Sequence, residues 1–424
     1  MFTKLKPKSE FSRNVLTLMT GTTIAQAIPI AISPILTRIY TPEDFGIFAI
    51  YMSVASILSV MATGRYELAI MLPKKDEDAI NIVALSLIIS FLVSFIVLLI
   101  VFLFNASITA LLGNPEISSW LYFIPLSVLL TGIYQSFNYW SNRKKQYKRL
   151  ATSRVVQSGT TASSNLAMGF SGFGSGGLIG SSLLGQGVAT FVLGRIIFKE
   201  DRNRFGNIKR LKIFALGRRY ISFLTVNLPH TFLNVLSSNF PVLLISYFFG
   251  NLVTGFYSIS NRVIVAPIGI ITNSYGQVFL QHISSSIISQ KEKEFFFKKT
   301  VYRILGYSFV PFLLLFFFLP QLFQTIFGKN WIEAGIYGQI LIPMLYFRFV
   351  GSIVSSVTVV YNQQQKALKI EIINTLLRIF ALIIGGIEAD IILGLILFSL
   401  FSIFVTIYRL FWYFEVVKGE HCGY

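Results

Sequence analysis

The chain has 424 residues, 54% of them hydrophobic and 13% charged, with a formal net charge of +18 and a mean hydropathy of +0.67. These values exclude a water-soluble core of this size, because the apolar share is too large and the charged share too small to cover it. A nucleic-acid partner is not expected either, since the basic residues are spread over many short connections instead of forming one patch.

In chain order, apolar stretches run near 14–37, 46–72, 80–104, 117–140, 151–170, 176–198, 218–247, 252–284, 297–320, 334–358, 369–387 and 391–414. A hydrocarbon core about 30 Å thick takes roughly 20 helical residues, so each stretch has the length of one crossing. Backbone amides in lipid must bond within their own segment, and continuous apolar runs of this length do so only as helices. The expected fold class is therefore an all-α membrane protein with about 12 transmembrane helices. Of the 36 Lys and Arg residues, 30 fall in alternate connections and at the two ends, while the opposite connections hold Arg38 and Lys329. The positive-inside rule then places both termini in the cytoplasm. Met1 to Arg13 is basic and polar and no small-residue cleavage site follows, so the first span is expected to stay as an anchor. Cys422 is the single cysteine; it forms no internal disulfide and fits a reducing compartment.

The two halves echo each other. Arg38-Ile-Tyr-Thr-Pro-Glu-Asp-Phe-Gly46 is answered by Tyr247-Phe-Phe-Gly-Asn-Leu-Val-Thr-Gly255, a shift of 209 from Gly46 to Gly255. Leu112-Gly113-Asn114 is answered by Phe327-Gly328-Lys329, Pro125 by Pro343, and the polar run 142–148 by 362–369. Six spans per half return the chain to the same side, so the repeats share one orientation. The expected organisation is two pseudo-symmetric six-helix lobes around a central cleft, 1–198 and 218–424, joined by a basic cytoplasmic linker at 199–217.

Several stretches carry a resemblance. Pro34-Ile-Leu-Thr-Arg-Ile-Tyr-Thr-Pro-Glu-Asp-Phe-Gly46, Gly64-Arg-Tyr-Glu-Leu-Ala-Ile-Met-Leu-Pro73, Gly177-Leu-Ile-Gly180, Gly185-Gln-Gly187 and Gly255-Phe-Tyr-Ser-Ile-Ser-Asn-Arg262 occur in this order. Together they resemble the polysaccharide flippases (Wzx type) of the multidrug/oligosaccharidyl-lipid/polysaccharide exporter superfamily. The resemblance implies a MATE-like fold and no enzymatic activity. It implies transport of an undecaprenyl-pyrophosphate-linked oligosaccharide across the bacterial cytoplasmic (inner) membrane, for O-antigen, lipopolysaccharide, capsule or exopolysaccharide biosynthesis. The partners it implies are that lipid-linked glycan, membrane lipids, and polysaccharide polymerase and chain-length proteins.

Charges inside spans cost several kcal/mol unless they face water or a partner, which makes Arg65, Glu67, Arg262, Arg348 and Arg378 the default functional candidates. Guanidinium forks suit phosphate oxygens. Arg65 and Arg262 are the first choices for a pyrophosphate, because the resembled fold lines its cleft with spans 2 and 8; Arg348 and Arg378 either serve the same role or tie spans 10 and 11 together. Glu67, two positions from Arg65 on a regular helix, is expected to pair with another helix and not with Arg65. Span 7 is polar for a membrane helix, and Asn227, His230 and Asn234 recur at intervals of three and four, a stripe that suits sugar hydroxyls or contacts between helices. Glu67 and His230 are the candidates for coupling or gating. Pro29, Pro34, Pro229, Pro241 and Pro267 are expected to absorb bending.

Gly172-Phe-Gly174-Ser-Gly-Gly177 matches a dinucleotide fingerprint but lacks a preceding strand, so no dinucleotide site is expected. The small residues Gly177, Gly180, Ser181, Gly185 and Gly187 are instead expected to let span 6 pack closely on a neighbour. No cofactor or metal site is expected: His230, His282 and His421 are far apart in sequence. Asp76-Glu77-Asp78 beside Lys74-Lys75 has the composition of a solvated loop. Two other functions compete: a cation-coupled multidrug exporter of the same superfamily, and, in a different class, a membrane polysaccharide polymerase or ligase, which needs a larger outer loop than any here.

Overall fold

The computed structural model describes residues 10–284 and 289–419; Cys422 and His421 lie outside them. Among the described residues there is no strand. The helices are α1 (Glu10–Ile39), α2 (Pro42–Ser59), α3 (Tyr66–Ala69), α4 (Asp76–Leu111), α5 (Ser118–Leu121), α6 (Ile124–Arg143), α7 (Tyr147–Phe170) and α8 (Ser175–Glu200). They continue with α9 (Arg202–Phe205), α10 (Arg210–Arg219), α11 (Leu228–Ile283), α12 (Gln290–Phe327), α13 (Ile332–Val354), α14 (Val357–Val360), α15 (Gln364–Ile387) and α16 (Ile391–Lys418). A π-helical turn, Phe223–Asn227, leads into α11. By length and composition eight described helices can cross a membrane, nine with the pair Pro115–Leu121 and Ile124–Arg143, which is bent by 48°. One of the eight, Phe223–Ile283, has 61 residues. At 1.5 Å per residue it runs about 90 Å, enough for two crossings, and it breaks at Gly250 (φ 77°, ψ −173°). The protein is an all-α, multi-pass membrane protein.

The chain groups into two compact units, 1–243 and 244–424. In the first, α4 is built inside out. Ser86, Ser90 and Ser94, four apart on one face, are buried, while Phe91, Phe95, Phe102 and Leu103 are exposed. Lipid takes the place of water outside, so the large apolar groups point outward and small residues let helices approach. A Cβ on Gly132 of α6 would lie 2.3 Å from Ser90 Oγ, so α6 presses its backbone onto that serine face. The α7–α8 contact works the same way, a Cβ on Gly185 lying 1.9 Å from Thr161 Oγ1, and a Cβ on Gly177 of α8 would lie 2.6 Å from the hydroxyl of Tyr40, just after α1. The expectation for span 6 is met at these positions. In the second unit Gly385 and Gly394 bring α15 and α16 together, a Cβ on Gly385 meeting the Gly394 Cα at 2.6 Å.

The internal echo is visible as matching devices. A left-handed glycine, Gly113 (φ 63°) or Gly328 (φ 109°), ends α4 and α12 in turn, and each leads into one 3-10 turn, Pro115–Ile117 or Lys329–Trp331. Lys145 (φ 56°) and Asn362 (φ 54°) occupy the corresponding turns before α7 and α15.

Two expectations are corrected here. The stretch 46–72 is not one helix: α2 stops at Ser59, the chain turns through Gly64 (φ 59°) and Arg65 (φ 63°), and α3 follows. Two consecutive left-handed residues cannot continue a right-handed helix. Nor is Asp76-Glu77-Asp78 a solvated loop. It forms the first turn of α4, where Asp76 binds Arg143 Nε at 3.0 Å and Lys144 Nζ at 2.8 Å, and Asp78 binds Lys212 Nζ at 3.1 Å. The acidic residues meet the helix N-terminus and bases from α6, the following turn and α10, a combination that sequence neighbours alone do not reveal.

Candidate functional site

The break between α2 and α3 places Arg65 where a regular helix would not. Its left-handed backbone (φ 63°, ψ 10°) turns the side chain so that Nη1 reaches Glu67 Oε1 at 3.0 Å. Glu67 is therefore paired with Arg65, contrary to the expectation from helix geometry, and it also accepts a hydrogen bond from Thr63 Oγ1. The Glu67 side chain is 3% exposed while that of Arg65 is 25% exposed, so the carboxylate is enclosed and the guanidinium keeps an open side. Arg65 Nε donates to Asn227 Oδ1 at 3.0 Å, and Thr231 Oγ1 donates to the Asn227 carbonyl at 2.9 Å. Asn227 closes the π-helical turn, a local widening of a helix that re-aims side chains. Arg65, Glu67 and Asn227, named separately from the sequence, thus form one cluster, with Thr63 as an unforeseen member.

His230 and Asn234 lie one turn further along. The Asn234 amide nitrogen is 3.3 Å from His230 Nδ1, and His230 is exposed. No contact joins this pair to Arg65 among the described residues; the stripe shares one helical face, with Asn227 alone reaching the arginine.

The second unit contains the other three arginines. Arg262, on the part of α11 after the Gly250 break, is exposed and has no hydrogen-bond or ion-pair partner among the described residues. Arg348 and Arg378 line a cavity of about 260 Å³ together with Gly351, Ser352, Ser355, Glu371, Asn374, Thr406, Arg409 and Tyr413. Arg378 Nε donates to Ser402 Oγ at 2.7 Å, and its guanidinium lies 5.2 Å from the centre of the Phe398 ring. The tie therefore runs chiefly from α15 to α16, the last span, whereas the sequence suggested a tie between spans 10 and 11; the Met344 sulfur of α13 adds a weak contact at 3.9 Å. Arg409, which counted as part of a cytoplasmic end, is instead inside α16 and pairs with Glu371 at 2.5 Å. Sequence reasoning missed Glu371, Asn374 and Arg409. A signal existed: Glu371, Asn374 and Arg378 recur at three and four, as do Thr406, Arg409 and Tyr413, which puts each set on one helical face.

Solved structures with this fold are numerous. An inward-facing MATE family multidrug resistance transporter of the MOP superfamily superposes with a TM-score of 0.69 at 14% identity, covering 95% of this chain and 96% of that one. The lipid II flippase MurJ in an inward closed conformation gives 0.71 at 14% identity, covering 95% and 90%. A MOP superfamily transporter from Pyrococcus furiosus gives 0.63 at 14% identity, covering 96% and 95%. No curated protein sequence matches the chain. The similarity to these structures establishes the MATE-like fold. Residues 35–335, most of the chain, match the family model described as polysaccharide biosynthesis protein, and the chain belongs to that family.

Proposed function

We propose that the protein is a flippase that moves an undecaprenyl-pyrophosphate-linked oligosaccharide across the bacterial inner membrane, with both termini cytoplasmic, for O-antigen, capsule or exopolysaccharide assembly. The family membership carries this reading, and the excess of intramembrane arginines agrees with it. A pyrophosphate cannot cross hydrocarbon without paired cations, and Arg65, Arg262, Arg348, Arg378 and Arg409 stand against Glu67 and Glu371 in the same segments. That balance suits an anionic cargo better than the cationic drugs of a multidrug exporter. A polymerase or ligase fits less well, because it would call for a larger outer loop than any in this sequence.

In this reading Arg65 offers its open side to the pyrophosphate, while Glu67 holds it in place when cargo is absent. Arg262 supplies a second guanidinium, and Asn227, His230 and Asn234 offer hydrogen bonds to sugar hydroxyls. Glu67 and His230 are the titratable groups available for coupling or gating. The organisation into lobes 1–198 and 218–424 around a linker at 199–217, and the partnership with polymerase and chain-length proteins, belong to the same proposal.

The test is the leaflet location of undecaprenyl-linked sugars in cells lacking the protein, read with a label that reaches only the outer face. Accumulation of single repeat units on the cytoplasmic face is expected. Complementation with Arg65→Ala/Arg262→Ala should restore less than about a tenth of the transport per molecule present in the membrane, since a lost charge contact of 1.4 kcal/mol is already tenfold. Intact transport by that variant would remove the phosphate-clamp role.

A further inference from the structure

Within the second unit, three helices turn polar faces toward one cavity. From α13 and its C-terminal cap come Arg348, Ser352 and Ser355; from α15, Glu371, Asn374 and Arg378; from α16, Arg409. Three guanidinium groups meet one carboxylate, so the walls carry an excess of two positive charges inside helices that cross a membrane. An uncompensated charge there costs several kcal/mol, and two close together add their mutual repulsion.

The hydrogen-bond inventory points the same way. Arg409 spends Nη2 on Glu371, but its Nε is buried and has no acceptor. Arg378 spends Nε on Ser402, and the one further contact of its terminal nitrogens is a thioether sulfur at 3.9 Å, a weak acceptor. Arg348 has no hydrogen-bond or ion-pair partner among the described residues. The nearby hydroxyls do not supply the missing acceptors by folding in: Ser352 and Ser355 donate to the Phe349 and Ser352 carbonyls of their own helix. Guanidinium donors from three helices therefore converge on the cavity with few protein acceptors: Arg348 is exposed, Arg378 is half-buried, and the buried Arg409 Nε lacks the acceptor that buried donors normally find. The Asn374 side-chain oxygen is also buried and unpartnered, which leaves one acceptor for a protonated oxygen or a water.

We infer that this cavity binds a phosphate-type oxyanion, held by Arg348, Arg378 and Arg409, with Glu371 fixing Arg409 and Asn374 taking a protonated oxygen. A dianion matches the charge excess, and several oxygens match forks that arrive from separate directions. A monatomic anion can meet the charge but not so many separated donors. At about 260 Å³ the cavity is below the usual range for drug-sized ligands, which suits a small anion and excludes an oligosaccharide. Arg348, Glu371 and Arg409 lie toward the helix ends that carry Val354, Gln364 and Lys418, while Arg378 sits near the middle of α15. Arg348 and Glu371 are six and seven residues from such ends, a depth of about 10 Å. Two sources share this chemistry: free inorganic phosphate, and the diphosphate of a polyprenyl lipid.

Oxyanion binding does not depend on the flippase reading, the lipid source alone rests on it, and a binding measurement separates the two. Thermal unfolding of the purified full-length protein in detergent is followed against inorganic phosphate at constant ionic strength, and in parallel against a short polyprenyl diphosphate. A saturable rise in Tm is expected, with the apparent Kd raised at least about tenfold by Arg348→Gln. The exposed Lys199, which has no part in either site, provides the control: Lys199→Gln should leave that Kd unchanged. Because the Arg348 guanidinium has no partner in the fold, Arg348→Gln tests the ligand without breaking an ion pair, and Arg378→Gln repeats the test from a second helix. A response to inorganic phosphate assigns the free ion; a response to the diphosphate alone assigns the lipid headgroup. No saturable response to either ligand, an equal response to chloride, or binding unchanged in both glutamine variants would overturn the inference.

Discussion

A left-handed arginine next to a buried glutamate is an unusual residue pair, and its energetics can be separated. Truncating Arg65 leaves Glu67 enclosed with only Thr63 as partner, and an unpaired buried charge is more costly than an absent pair. Arg65→Ala should therefore destabilise the protein by about 2–3 kcal/mol after allowing for the open side of the arginine, while Arg65→Ala/Glu67→Gln should recover most of that loss. The check is a double-mutant cycle in thermal unfolding; additive single effects would show that the pair is not coupled. The type of these residues was legible from sequence, because charges in apolar runs stand out. Their pairing was not. It depends on two positive φ angles at Gly64 and Arg65, and a non-glycine residue in that region is uncommon enough that a helical reading wins by default.

At the scale of elements, membrane helices here are defined by their outward apolar face and by the backbone devices that end them. Gly250 (φ 77°, ψ −173°) is the sharpest of these. This conformation is essentially restricted to glycine, so Gly250→Ala should cost about 1–3 kcal/mol. Gly269, in the same helix with ordinary φ and open space around its Cα, provides the control: Gly269→Ala should be neutral or stabilising by up to about 1 kcal/mol. Paired thermal-unfolding curves decide the matter, and equal effects at the two positions would refute the backbone argument. The apolar runs at 218–247 and 252–284 already implied a break near this point, because the repeat of Gly46 at Gly255 carried the α1–α2 turn onto the second half. What the pattern did not carry was the π-helical turn that aims Asn227 at Arg65, since π-helical geometry has no compositional signature.

For the whole molecule, the distribution of basic residues makes a topological prediction that the fold refines. With Cys422→Ser as background, single cysteines at Phe173 and Glu388 should react with an impermeant thiol reagent from outside the cell. Cysteines at Lys148 and Asn203 should react only after the membrane is opened. All four replaced positions are exposed. Reversed labelling would invert the orientation inferred from the basic residues gathered in alternate connections. The acidic turn at Asp76 adds a reason for that asymmetry: some of the bases, Arg143, Lys144 and Lys212, are ion-pair partners as well as headgroup anchors.

Sequence by itself determined the all-α membrane class, the order of the apolar segments, the alternation of charge between their connections and the family resemblance. These follow from the cost of placing backbone and charge in hydrocarbon, which acts on every residue locally and so leaves a one-dimensional record. Only the tertiary structure decided which charges meet. Arg65 joins Glu67 and Asn227 across 162 positions of chain between arginine and asparagine, and Arg348, Glu371, Arg378 and Arg409 converge from three helices on one cavity. Such meetings depend on helix rotation and packing distance, set here by serine and glycine faces such as Ser90 against Gly132 and Gly385 against Gly394. A displacement of a few ångströms there changes which side chains touch, while leaving the hydrophobic pattern of the sequence unaltered.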